Sequence, residues 1–80
     1  MPKGIAVDAA GVIYVVDTMF DNIQLFNITG SFLFTIGGRG TGYGEFWLPS
    51  GLFLDDQNKL YVCDTYNRRV QIFQVRGDRP

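Results

Sequence analysis

The sequence contains no histidine, only one cysteine and three prolines, and charged residues fill just 19% of its 80 positions. Without histidine the chain lacks the side chain that most often serves as general base or metal ligand near neutral pH. The lone Cys63 excludes an internal disulfide and cannot make a paired-cysteine metal or haem motif. No apolar run approaches the roughly 18 residues that span a bilayer. Met1-Pro2-Lys3 lacks the long apolar region of a signal peptide, so no membrane partner is expected, and the compartment stays open. Seven basic against eight acidic residues give a net charge of −1, and no basic run exceeds Arg68-Arg69. That balance disfavours nucleic acid as a partner, because affinity for a polyanion rests on neutralised phosphates.

What is present is apolar: 46% of residues, with 15% aromatic. This is the composition of a packed protein, while the scarcity of charge predicts that part of the surface meets other protein. A domain of 80 residues buries a smaller share of its surface than a larger one.

The chain states one motif twice. Tyr14-Val15-Val16-Asp17-Thr18 returns as Tyr61-Val62-Cys63-Asp64-Thr65, 47 residues on, and laying 2–30 over 49–77 gives ten identities in twenty-nine positions without a gap. Pro2/Pro49, Gly4/Gly51, Asp8/Asp55, Gln24/Gln71, Phe26/Phe73 and Gly30/Gly77 are among them. A fixed period of this length built from short apolar runs marks a repeat array. Gly4–Asp8, Ile13–Val16, Ile23–Ile28 and Ser31–Ile36 read as four strands joined by turn clusters, an antiparallel meander of the kind that forms one propeller blade. The second strand is apolar at consecutive positions, which predicts burial on both faces.

Gly37 to Gly44 holds five glycines and reads as the connection between blades, and Glu45-Phe46-Trp47-Leu48-Pro49 leads back toward the centre with an aromatic pair suited to wedge between sheets. Gly51–Asp55, Leu60–Asp64 and Arg69–Val75 restate the first three strands, and after Gly77 only Asp78-Arg79-Pro80 remain where a fourth would stand. The expectation is an all-β chain of two β-propeller blades, 2–48 with its glycine-rich connection and 49–80 incomplete, the second blade lacking its outer strand.

The order Pro-x-Gly-[Ile/Leu]-x-[Val/Leu]-Asp, Tyr-Val-x-Asp-Thr, then x-[Ile/Val]-Gln-x-Phe and a glycine-rich tail resembles the NHL repeat. Asp64-Thr65-Tyr66-Asn67-Arg68-Arg69-Val70-Gln71-Ile72-Phe73 is the closer copy. The first copy departs from the pattern, with Phe20 where Asn67 stands and Asn22 where Arg69 stands. The resemblance implies propellers that are usually six-bladed. It also implies two other functions found in such propellers: lyases with a metal at the axis, typically held by histidines, and single-stranded RNA binding on a basic surface.

Tyr66, Asn67, Arg68 and Arg69, with Phe20 and Asp21, stand in the loops that join a strand to its neighbour and are the candidate rim for a protein ligand. The repeated Asp17/Asp64, Tyr14/Tyr61, Gly4/Gly51 and Phe26/Phe73, with Trp47, read as structural. Asp64 is expected to pair with Arg69 and to satisfy turn amides, whereas Asp17 has no matching arginine and is left to the next blade or to solvent. Asp8, Asp55 and Asp56 read as turn caps rather than cation ligands, since no calcium-loop spacing is present. No cofactor is expected: the glycine stretch carries Tyr43 and Glu45 where a dinucleotide loop needs glycine, and no P-loop lysine follows.

Cys63 replaces Val16 and reads as a core residue. Arg76-Gly77-Asp78 spells an adhesion tripeptide, which recurs easily by chance and whose Gly77 matches the turn glycine Gly30, and Asn27-Ile28-Thr29 fits a glycosylation acceptor, which matters only in a eukaryotic secreted protein. Arg68, Arg69, Arg76 and Tyr66 have the chemistry of an RNA surface, with Asp64 and Asp78 against it.

Two blades cannot cover sheets that are apolar on both faces, so self-association is expected, three copies giving six blades. The expectation is thus a non-enzymatic interaction or scaffold module. The alternatives are a piece of a propeller enzyme with its catalytic residues on other blades and, third, an RNA-binding surface.

Overall fold

The structure, a computed structural model, describes residues 2–75, with side chains from Gly4 onward. Strands β1 (Pro2–Val7), β2 (Ile13–Asp17), β3 (Asn22–Phe26) and β4 (Phe32–Ile36) form one antiparallel sheet in sequence order. Strands β5 (Pro49–Leu54), β6 (Lys59–Asp64) and β7 (Arg69–Gln74) form a second. No helix occurs among the described residues. The expected lack of a fourth strand after β7 falls on residues 76–80 and so lies outside the described residues, as do Arg76, Gly77 and Asp78.

The sequence repeat is a repeat of structure. Pro2 pairs with Asp17 and Pro49 with Asp64, and each inner hairpin shifts register just before Gly4 or Gly51. The first turn of each blade explains two of the repeated identities. Asp8 Oδ1 accepts the amides of Ala10 and Val12 at 2.9 Å, and its Oδ2 accepts the Tyr14 hydroxyl at 2.9 Å. Asp55 does the same for Gln57, Lys59 and Tyr61. Burial, then the bond to Asp8 and the charge of that carboxylate, push the Tyr14 hydroxyl pKa far up and hold it as a donor. Gly11 and Asn58, one repeat apart, both take the left-handed backbone of this turn, with φ of 88° and 61°.

Side chains alternate between two faces of each sheet. One is the tyrosine face, with Tyr14, Val16, Ile23 and Leu25 in the first blade and Tyr61, Cys63, Val70 and Ile72 in the second. The other is an aliphatic face: Ile5, Ile13, Val15 and Phe26 in the first, Leu52, Leu60, Val62 and Phe73 in the second. Among the described residues the core lies between the blades, where the first blade's tyrosine face packs on the second blade's aliphatic face. Tyr14, Val16, Ile23, Leu60 and Val62 are there fully shielded from solvent. The inner strands come close enough at the axis that a Cβ on Gly4 would sit 3.6 Å from the Gly51 Cα.

The expectation that β2 is buried on both faces is corrected: burial alternates, with Tyr14 and Val16 inside and Ile13 and Val15 only half-buried. The Cys63 expectation fails for the same reason. Val16 is covered by the second blade, whereas among the described residues nothing covers the second blade's tyrosine face, and Cys63 is exposed.

The connection from Gly37 to Leu48 is closed on itself by a parallel bridge between Arg39 and Phe46. Phe46 is fully buried and meets Phe73 edge-on, with ring centroids 5.9 Å apart. Of the expected wedge pair only Phe46 enters the core; Trp47 stays half-buried against Tyr66. Gly37 has φ of 86°, and a Cβ there would run into the Phe46 ring. Left-handed backbone costs a residue with a Cβ roughly 1–2 kcal/mol, and the ring must also shift. Gly37→Ala is therefore expected to lower the urea unfolding midpoint by an amount equivalent to more than about 2 kcal/mol.

Candidate functional site

Three segments converge at one end of both sheets: the β2–β3 turn, the glycine-rich connection and the β6–β7 turn. At their centre sits Asp64, at the end of β6 and without solvent exposure. Its Oδ1 accepts the Trp47 amide at 2.7 Å. Its Oδ2 accepts Arg69 Nε at 2.7 Å, Asn67 Nδ2 at 2.9 Å and Gln71 Nε2 at 3.2 Å. Arg69 also donates from Nη1 to the carbonyl of Thr41 and from Nη2 to those of Gly42 and Glu45, each at 2.9 Å. Asn67 reaches the Gly40 carbonyl, and Gln71 both donates to Glu45 O and accepts from Gly44 N. A loop too rich in glycine to hold its own shape is thus fixed by four side chains of the next blade.

Burial alone would raise the Asp64 pKa. The Trp47 amide, Asn67, Arg69 and Gln71 outweigh it and hold the carboxyl below the usual range. The folded protein therefore binds this proton less readily than the unfolded chain does. The stabilisation is complete above the ordinary aspartate pKa of about 3.9 and is lost as pH falls through the folded value. Asp55, held down first by the Lys59 amide, acts in the same direction. Urea midpoints are expected to stay level from about pH 7 to 5 and to fall below about pH 4, with a shallower fall in Asp64→Asn.

A second carboxylate grips the same connection from the first blade. Asp21 is 2% exposed, and its Oδ1 accepts the Leu48 amide at 2.7 Å while Oδ2 pairs with Arg39 Nε at 2.9 Å. Trp47 and Leu48 thus present consecutive amides to carboxylates of different blades, and Leu48 is held there with φ of 51°, a conformation that leucine rarely takes. Arg39 also lies over the Trp47 ring, 5.6 Å from its centroid, and Trp47 stacks on Tyr66 at 4.5 Å.

The expected site residues therefore separate. Asn67 and Arg69 join Asp64 in the clamp, and Asp21 turns its carboxylate inward, away from the rim surface. Phe20, Tyr66 and Arg68 are exposed, together with Met19 and Tyr43, which sequence reasoning did not select. Asp17, without a matching arginine, accepts the Met19 and Phe20 amides and Gln24 Nε2. The Asp21–Leu48 bond and the role of Arg39 were not foreseen, because position 21 carries Asp in one blade and Arg68 in the other, so the repeat gives no signal there. Among the described residues no group of three or more His, Cys, Asp or Glu side chains is placed to hold a metal ion.

Two sheets stacked face to face about closely approaching inner strands are adjoining propeller blades. Comparison with protein families agrees: residues 5–78 match the model of DUF5128, described as a 6-bladed beta-propeller. The chain belongs to this family. No curated protein matches the sequence closely enough to count as a relative. As a six-bladed propeller family member, the chain has places for further blades on both sides of its pair, and the rim clamp is the joint between two of them.

Proposed function

We propose that the chain is a non-enzymatic interaction module of NHL-type blades that associates with its own copies, three of them making the six-bladed ring of its family, and offers its loop rim to a protein ligand. The observation that carries this reading is the pair of open sheet faces. Ile5, Val7 and Phe32 on the first blade's aliphatic face are 68%, 54% and 57% exposed, and Phe53, Val70 and Ile72 on the second blade's tyrosine face are 64%, 57% and 59% exposed. Apolar surface of that extent marks an interaction face. The NHL assignment rests on the segment from Asp64 to Phe73, whose Asp, Asn, Arg and Gln form one bonded unit. A non-catalytic role is supported by the same unit, whose Asp64, Asn67 and Arg69 are committed to holding a loop, and by the lack of histidine. The exposed Phe20, Tyr43, Tyr66 and Arg68 supply the aromatic and arginine chemistry common at protein interfaces. Where these 80 residues are carried in a longer chain, flanking blades take the places of the copies.

The test mixes chains labelled at the N-terminal amine with a donor or an acceptor fluorophore. Energy transfer that grows with concentration is expected, and it should vanish in Ile72→Glu, which sets a charge on the open tyrosine face. Absence of transfer at all concentrations would overturn the reading.

A further inference from the structure

The internal joint specifies what fits the open faces. It pairs the first blade's tyrosine face with the second blade's aliphatic face, and the two faces left open are the complementary pair: a tyrosine face on the second blade and an aliphatic face on the first. We infer that the second blade's tyrosine face docks on the first blade's aliphatic face of another copy of this chain, in the register of the internal joint, with Arg68 set against Asp17 of that copy. The inference rests on the self-association proposed above and adds the faces, the register and a charge pair.

Two further observations bear on it. Gly4 is close to Gly51 within the chain, yet around Gly51 a Cβ would meet no atom within 4 Å. Nothing among the described residues makes that position small. In the repeated joint Gly51 faces Gly4 of the next copy, where the inner strands again converge, and the glycine has a reason. The second observation is charge. At the internal joint Asp21 and Asp64 approach one connection from either side. One repeat on, position 21 becomes Arg68, with the same left-handed backbone (φ of 56° and 57°), and position 64 corresponds to Asp17 of the next copy. Within the chain each of the two like charges has an arginine, Asp21 the guanidinium of Arg39 and Asp64 that of Arg69; between chains the corresponding pair, Arg68 and Asp17, is itself of opposite charge. A back-to-back dimer of two tyrosine faces gives neither relation, and it would leave the aliphatic faces open.

The joint also covers Cys63, as Val16 is covered at the internal joint. This provides a reporter. The intact 80-residue chain is followed by sedimentation across concentration and by the rate at which iodoacetamide alkylates Cys63. Alkylation is expected to be at least tenfold slower in the assembled than in the dispersed chain. Gly51→Val should keep the circular dichroism and unfolding transition of the dispersed chain while abolishing assembly and removing the protection. Arg68→Asp restores the residue that the first blade carries at this backbone position, so it should fold. It should weaken association about tenfold by opposing Asp17, and adding Asp17→Asn, which keeps the turn cap, should recover most of the loss. Assembly with unprotected Cys63, or with Arg68→Asp and Gly51→Val without effect, would overturn this joint while leaving self-association standing. A chain that stays dispersed at every concentration overturns both.

Discussion

Asp64→Ala is expected to destabilise the fold by about 3–5 kcal/mol, the usual cost of removing one partner from a buried ion pair. For a small domain of marginal stability that is enough to unfold a large share of the population at 37 °C. Four donors converge on this carboxylate, and Arg69 and Asn67 also carry the carbonyls of Thr41, Gly42, Glu45 and Gly40. Its loss therefore strands a guanidinium and releases the glycine-rich connection together. The control is the corresponding residue of the first blade. Asp17 is half-buried and accepts two turn amides and Gln24, so Asp17→Ala should cost only about 1 kcal/mol. Urea unfolding of both variants measures the difference; equal costs would contradict the clamp.

Phe46→Ala is expected to cost about 3–5 kcal/mol as well, by a different physical route, the cavity left between two sheets that cannot collapse onto one another. Phe46 is fully buried at the joint and packs edge-on against Phe73. Trp47→Ala, although it removes a larger side chain, should cost about 1 kcal/mol, because the indole is half-buried against Tyr66 and Arg39 at the rim. The order of the two thermal midpoints checks this assignment of wedge and rim.

Much of this architecture could be read from the chain. The 47-residue spacing, with the short apolar run that marks β4, placed the strands to within about two residues, since turn signals such as Asp8 to Gly11 and Asp55 to Asn58 recur in register. The Asp64–Arg69 pair followed from an aspartate ending one strand and an arginine opening the next. What could not be read was which face of each sheet the chain itself covers. Val15 and Val16 are chemically alike, and only the stacking of one blade on the next makes Val16 inner and Val15 half-open. Cys63 was misplaced for that reason. The Asp21 clamp was invisible for another: a contact made by position 21 of the first blade, where the second blade carries Arg68, leaves no repeated signature.

We propose that the blade-to-blade joint seen inside the chain is made again between chains. Sedimentation equilibrium of the unmodified protein tests it most directly. A species with the mass of three 9.0 kDa chains that dissociates on dilution is expected. A single 9.0 kDa species at every concentration, with both open faces in water, would contradict it.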